Sequence, residues 1–284
     1  MKKKKDKTNQ DELRNDIQTV ESKESSLCIT LNNGHSLKIG VAQNQGKRPY
    51  QEDSYGFSNL SNPQLIQSKG VLSVLADGMG GLSNGKQVST MAVSGLIDYF
   101  NMPDSICSNG EQLFGQIKNV NSEVCNRFCP DGKIRAGSTL VSALIYNETL
   151  HWSCVGDSRL YLNRDGKLYQ INEDHDYLNQ LIEEAVMEDT DISAAFNDKQ
   201  KDVLVSCIGS EKIKGDNSLN GIPLISGDRI MLCSDGIYNA LPLSAINSLL
   251  NQPPQAAAEN IESSVVAQGF KTQDNLTVIV LLFE

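Results

Sequence analysis

Apolar residues recur along this chain with two different periods, and the change of period separates strands from helices. Residues 27–31 and 37–42 read as strands, and Asn32-Asn33-Gly34 between them as a turn, which together predict a hairpin. Further strand-like runs cover 71–76, 139–146, 150–155, 159–163, 167–171, 229–233 and 276–283. Over 84–100, Val88, Met91, Ala92, Leu96, Ile97 and Phe100 fall at helical spacing. Leu113, Ile117, Val120, Val124 and Phe128 repeat that spacing over 112–128. Shorter helices fit 176–186, 242–250 and 254–267. Two adjacent helices followed by successive strands do not alternate as a parallel α/β chain does. The order predicts an α+β fold, with antiparallel sheets and helices packed outside them.

No Pro-, Gly- or Ser-rich linker divides residues 26–284, so one domain is expected there, preceded by a polar and disordered tail over 1–25. The opening lysines, Lys2 to Lys5, are followed by polar residues rather than an apolar stretch, so no secretory signal is expected. The longest apolar run, 278–283, has strand length and falls far short of the roughly 18 residues of a membrane span. A net charge of -10 with no basic stripe argues against nucleic acid as a partner. It leaves two readings of the acidity: plain solubility, or carboxylates gathered to hold cations. The seven cysteines form no CxxC pair, which argues against structural zinc. Cys154, Cys207 and Cys233 lie in apolar runs as small buried hydrophobes, and a reducing, cytoplasmic compartment is expected.

The acidic residues carry the chemistry. Strand 71–76 runs into Asp77-Gly78-Met79-Gly80-Gly81, strand 229–233 into Ser234-Asp235-Gly236, and Asp274-Asn275 opens strand 276–283. A single Asp-Gly is most simply a turn. Here three apolar strands each deliver an Asp at one end, and a glycine-rich segment after Asp77 lets backbone approach a ligand closely. Glu52-Asp53 and Gly156-Asp157-Ser158-Arg159 add two further acidic sites. Carboxylates gathered at buried strand ends repel one another unless a cation neutralises them, and hard divalent ions prefer such oxygens. The residues alone therefore support a two-metal hydrolase.

In order along the chain stand Arg48-x-x-x-Glu52-Asp53, Asp77-Gly78-Met79-Gly80-Gly81, Gly137-Ser138-Thr139, Val155-Gly156-Asp157-Ser158-Arg159, Asp174-His175, Ser234-Asp235-Gly236 and Asp274-Asn275-Leu276-Thr277. This set resembles the metal-dependent serine/threonine phosphatases of the phosphatase 2C type. Met79, where the animal enzymes place His, is more like the bacterial branch. The resemblance implies a four-layer α-β-β-α sandwich of two antiparallel sheets flanked by helix pairs. It implies two Mn²⁺ or Mg²⁺ ions, with a third, weaker one in addition. Asp77 would bridge the two metals and Gly78 would offer its carbonyl. Asp235 and Asp274 would complete one metal's shell, and Glu52 and Asp53 would hold the other. Asp157 would help hold the third ion, and Asn275 would orient nearby groups.

The resemblance also implies the reaction, in which metal-activated water attacks phosphorus in line and no phosphoenzyme forms. Arg48 would neutralise phosphoryl oxygens, for which its planar fork is suited. His175 is expected either beside the substrate or ordering a loop. Residues 185–203 match a variable polar flap beside the site, and Trp152, the sole Trp, is expected in the core. The expected partners are a phosphorylated protein and a cognate Ser/Thr kinase, with the enzyme a monomer. The alternatives are a phosphoprotein-binding module without turnover, or a regulatory phosphatase of the sporulation and sigma-factor type working with a separate partner. The full set of acidic positions favours turnover.

Overall fold

A computed structural model describes residues 26–31, 34–79 and 84–284. The expected tail over 1–25 and the turn residues Asn32 and Asn33 lie outside the described residues, as do Gly80 and Gly81 of the glycine motif.

Two antiparallel sheets carry the architecture. The first comprises β1 (Leu27–Thr30), β2 (Ser36–Asn44), β9 (Arg159–Arg164), β10 (Lys167–Gln170), β13 (Arg229–Cys233) and β14 (Leu276–Phe283), in the order β1-β2-β14-β13-β9-β10. The second comprises β3 (Ser54–Phe57), β4 (Val71–Ala76), β7 (Leu140–Tyr146), β8 (Thr149–Val155) and β11 (Asp216–Asn217), in the order β11-β8-β7-β4-β3. Strand β12 (Ile222–Pro223) also pairs with β8. A small ribbon joins β5 (Gly78–Met79) to β6 (Gly137–Ser138).

Period-2 alternation decides what each strand buries. Along β14, Ile279, Leu281 and Phe283 face the space between the sheets, and Leu276, Val278 and Val280 face outward to helices. Strand β4 does the same, with Val71 and Leu75 inward and Leu72, Val74 and Ala76 outward. Both strands are buried on both faces, so they read as continuous apolar runs.

The outward faces are covered by two helix layers. Helices α2 (Asn84–Asn101) and α3 (Gly110–Phe128) lay Val88, Ala92, Leu96, Leu113, Ile117 and Val124 on the β4 sheet. Helices α6 (Leu243–Leu249) and α7 (Pro254–Ala267) lay Ile246, Ala257, Ala258, Ile261 and Val265 on the β14 sheet. Three apolar interfaces between four layers are thus the α-β-β-α sandwich.

The structure adds elements that the pattern did not predict. They include α1 (Pro63–Lys69), the one-turn α5 (Asp235–Tyr238), strand β3 and the β5–β6 ribbon. Helix α4 (Tyr177–Met187), close to the expected bounds of 176–186, runs into the expected flap, where a 3-10 turn follows over Ile192–Asn197. The Asp191 side chain caps that turn by accepting from the Ser193 N–H at 2.9 Å, which makes structure of a predicted polar loop. Trp152 is partly buried against the core between the sheets. All seven cysteines are free. Among the described residues, no helix is long and apolar enough to cross a membrane.

Candidate metal centre and active site

The acidic strand ends meet at one edge of the sandwich. Asp77 follows β4, and its backbone is clamped by the Gly137-Ser138-Thr139 segment. The Asp77 carbonyl accepts from the Thr139 N–H and the Ser138 hydroxyl, both at 2.8 Å, and its N–H donates to Thr139 Oγ1 at 2.9 Å. The Asp77 carboxyl feels the charges of Asp53 and Asp235 more strongly than those of the other acids. It therefore sits between acids from two other segments.

Asp53 is fully buried. Its Oδ2 accepts from the Thr277 hydroxyl at 2.7 Å and the Ser234 hydroxyl at 2.9 Å, while its buried Oδ1 has no partner. Glu52 is fixed through its backbone, whose N–H donates to Asn275 Oδ1 at 2.8 Å, and its buried Oε1 is also unpaired. The Asn275 amide further donates to the carbonyls of Gln45 and Tyr50. One side chain thus orients the whole segment leading to Glu52 and Asp53. A Cβ on Gly85 would lie 2.5 Å from Glu52 Oε1, and one on Gly78 would lie 2.4 Å from the Gly85 carbonyl. Only glycine lets these three backbones approach so closely.

Asp235 opens α5, with Oδ2 accepting from Asn239 at 3.2 Å and its buried Oδ1 unpaired. Asp274 accepts at Oδ1 from the Asn275 N–H at 2.8 Å and at Oδ2 from Arg48 at 2.5 Å. The Arg48 side chain is 56% exposed, so the rest of its fork faces solvent.

Asp157 follows Gly156, which takes a positive φ of 99°. The Gly156 N–H donates to His175 Nδ1 at 3.0 Å, and its carbonyl accepts from the His175 N–H at 3.0 Å. His175 is only 2% exposed, so it orders this loop from behind. The expectation of substrate contact at His175 is corrected accordingly: its ring is buried against Gly156. Its Nε2 has no partner.

Burial, and then mutual charge, raises the acids' pKa values. Burial, then the charges of Asp53, Asp235, Asp157 and Asp274, holds Asp77 well above the usual carboxylate range. Burial pushes Asp53 up to about 6. Burial, then Asp274 and Asp53, pushes Asp235 up to about 6. Burial, then Asp235 and Asp174, pushes Asp157 up to about 7. Among the described residues, no three His, Cys, Asp or Glu side chains already stand as a coordination shell. The carboxyls crowd one another by charge, and a cation among them would relieve that repulsion. The unpaired oxygens of Glu52, Asp53 and Asp235 are the groups a hard divalent cation would take up, so the donor set fits Mn²⁺ or Mg²⁺.

Sequence reasoning missed the groups that hold these acids. Ser234 and Thr277 were visible only as neighbours of Asp235 and Asp274, and nothing local ties them to Asp53. A polar hollow of about 630 Å³, lined by Arg159, Asn172, Asp174, Asp176, Asn179 and Asp216, lies behind the Asp157 loop, and none of the strand-end acids lines it.

Known proteins share this chain's sequence pattern and fold. The family model for protein phosphatase 2C matches residues 50–268; Arg48 and Asp274 lie just outside that span. The serine/threonine phosphatase Stp of Listeria welshimeri is 28% identical over 240 residues, covering 82% of this chain and 90% of its own. The crystal structure of the Mycobacterium tuberculosis serine/threonine phosphatase PstP superposes with a TM-score of 0.70 at 25% identity, covering 87% of this chain and 98% of that one. A structure of the PstP catalytic domain in complex with two manganese ions gives a TM-score of 0.66 at 24% identity, covering 88% of this chain and 99% of that one. The chain belongs to the protein phosphatase 2C family, and it is a metal-dependent serine/threonine phosphatase of the bacterial type.

Proposed function

We propose that residues 26–284 act as one catalytic domain that hydrolyses phosphoserine and phosphothreonine in proteins, with Asp77 at the centre of its metal site. The observation that carries this is the cluster itself: five segments bring Asp77, Asp53, Asp235, Asp157 and Asp274 within electrostatic reach of one another, with buried oxygens left unpaired. Such a cluster is costly without a cation.

Asp77, the Gly78 carbonyl, Asp235 and Asp274 would hold one ion. Glu52 and Asp53 would hold a second with Asp77 between them, and Asp157 a weaker third. When bound, the Mn²⁺ or Mg²⁺ ions supply Lewis acidity and a nucleophilic water near neutral pH. Ser234 and Thr277 keep Asp53 Oδ2 occupied, so that Oδ1 is the oxygen left for the cation. Arg48 binds the phosphoryl group through the solvent-facing part of its fork while Asp274 holds the other part. His175 keeps the Asp157 loop in place and does not touch substrate.

The enzyme would act as a monomer, since every residue of the proposed site comes from one chain. Seven free cysteines support a reducing, cytoplasmic setting. Because the substrate must first be phosphorylated, a cognate Ser/Thr kinase is the expected partner. The deciding experiment compares Asp77→Asn with wild type on a phosphothreonine peptide in Mn²⁺. Loss of about 100-fold or more is expected; retained activity overturns the assignment.

A further inference from the structure

We propose that Tyr238 is a positioning residue: it ties the loop carrying Asp157 to the helix carrying Asp235 and so sets where Asp157 stands for the third ion it would hold. This rests on the proposed role of both carboxylates in holding metal.

Helix α5 is a single turn, with Asp235 at its first residue and Tyr238 at its last. The Tyr238 hydroxyl donates to the Asp157 backbone carbonyl at 3.0 Å. A side chain at one end of the turn therefore fixes the distance from the other end to a loop on a different strand connection. The Tyr238 ring is itself held. The Arg159 guanidinium lies 3.6 Å from its centroid. That guanidinium is locked in turn, with Nε and Nη2 on Asp174 Oδ2 at 2.9 and 2.7 Å and Nη1 on the Tyr161 hydroxyl at 3.3 Å. Asp174 also accepts from Gln170 at 2.7 Å. The stack Asp174–Arg159–Tyr238 thus ends on Asp157.

The loop is consequently held at two successive residues from two sides: Gly156 by His175, and Asp157 by Tyr238. Groups that orient metal-binding side chains in this way commonly govern affinity by an order of magnitude or more.

The test titrates Mn²⁺ into the full chain and reads free Mn²⁺ by electron paramagnetic resonance. Wild type is expected to take up three ions, the third most weakly. Tyr238→Phe keeps a ring under Arg159 and removes only the hydroxyl. It is expected to weaken the third ion roughly tenfold, with the other two within about twofold of wild type. Asp157→Asn is expected to lose the same third ion. Tyr161→Phe removes a hydroxyl from the same guanidinium without touching Asp157 and is the control, expected within about twofold of wild type for the third ion. A third ion held equally by Tyr238→Phe and wild type overturns the proposal. So does equal weakening of all three ions, or the same loss in Tyr161→Phe, because either marks a general loosening. Wild type binding two ions and no third overturns the proposal while leaving the two-metal reading intact. Wild type binding none overturns that reading instead.

Discussion

Asp53 and His175 are both buried, and each is fixed by one edge with the other left unpaired. Asp53 gives Oδ2 to two hydroxyls and keeps Oδ1 free. His175 gives Nδ1 to the Gly156 N–H and keeps Nε2 free. For His175 the consequence is a pH dependence of stability. Burial, then the Lys214 charge, lowers its pKa below the ordinary 6.5. The folded chain therefore keeps the ring neutral where the unfolded chain protonates it, so this contribution is complete above the unfolded pKa and is lost as pH falls through it. Replacing His175 with Asn is expected to flatten the fall in melting temperature between about pH 7.5 and pH 5.5. An unchanged slope would contradict the buried neutral imidazole. At this scale the acids were legible, because an apolar run ending in Asp-Gly is a local signal. Their hydroxyl partners were not, since Ser234 and Thr277 lie 181 and 224 residues from Asp53.

Among the elements, the long apolar strands β4, β13 and β14 were read from the sequence with the bounds the structure gives, as was helix α7. Their burial on both faces leaves an unbroken hydrophobic run between polar ends. Helix α5 was missed because four residues opening with Asp-Gly read as a turn. Strand β3 was missed because it is short and carries a glycine, and the two-residue strands β5 and β6 have no period at all. Yet α5 carries Asp235, and its seat is tight. A Cβ on Gly236 would lie 2.1 Å from the Asn275 carbonyl. Gly236→Ala is expected to destabilise the chain by about 1–3 kcal/mol, since backbone must move to admit the methyl. It should also lower activity by displacing Asp235. Gly115, within α3, meets nothing within 4 Å, so Gly115→Ala is expected to stabilise by about 0.4–1 kcal/mol. Urea unfolding midpoints of the two variants should move in opposite directions; a shift of the same sign would contradict the packing described.

For the whole molecule, the acidic cluster trades stability for function. Carboxyls raised in pKa by burial, and then by one another's charge, disfavour the metal-free fold at neutral pH. Saturating Mn²⁺ is expected to raise the melting temperature of wild type, by the equivalent of about 2.7 kcal/mol at a hundredfold excess over Kd. Asp77→Asn removes one of the opposed charges. It is expected to melt higher than wild type in chelator and to gain less from Mn²⁺. Differential scanning calorimetry with and without metal reads both effects. A variant that melts lower than wild type in chelator would show that Asp77 is held for stability rather than for the ion.

Strand β14 follows every other described element in the chain, yet it lies between β2 and β13 at the middle of its sheet. During synthesis the two halves of that sheet would wait with open edges until β14 slots between them. The same strand brings Asp274, Asn275 and Thr277 to the site. A chain synthesised only as far as β13 would therefore lack the assembled metal site, and the phosphatase would be silent until β14 joins the sheet.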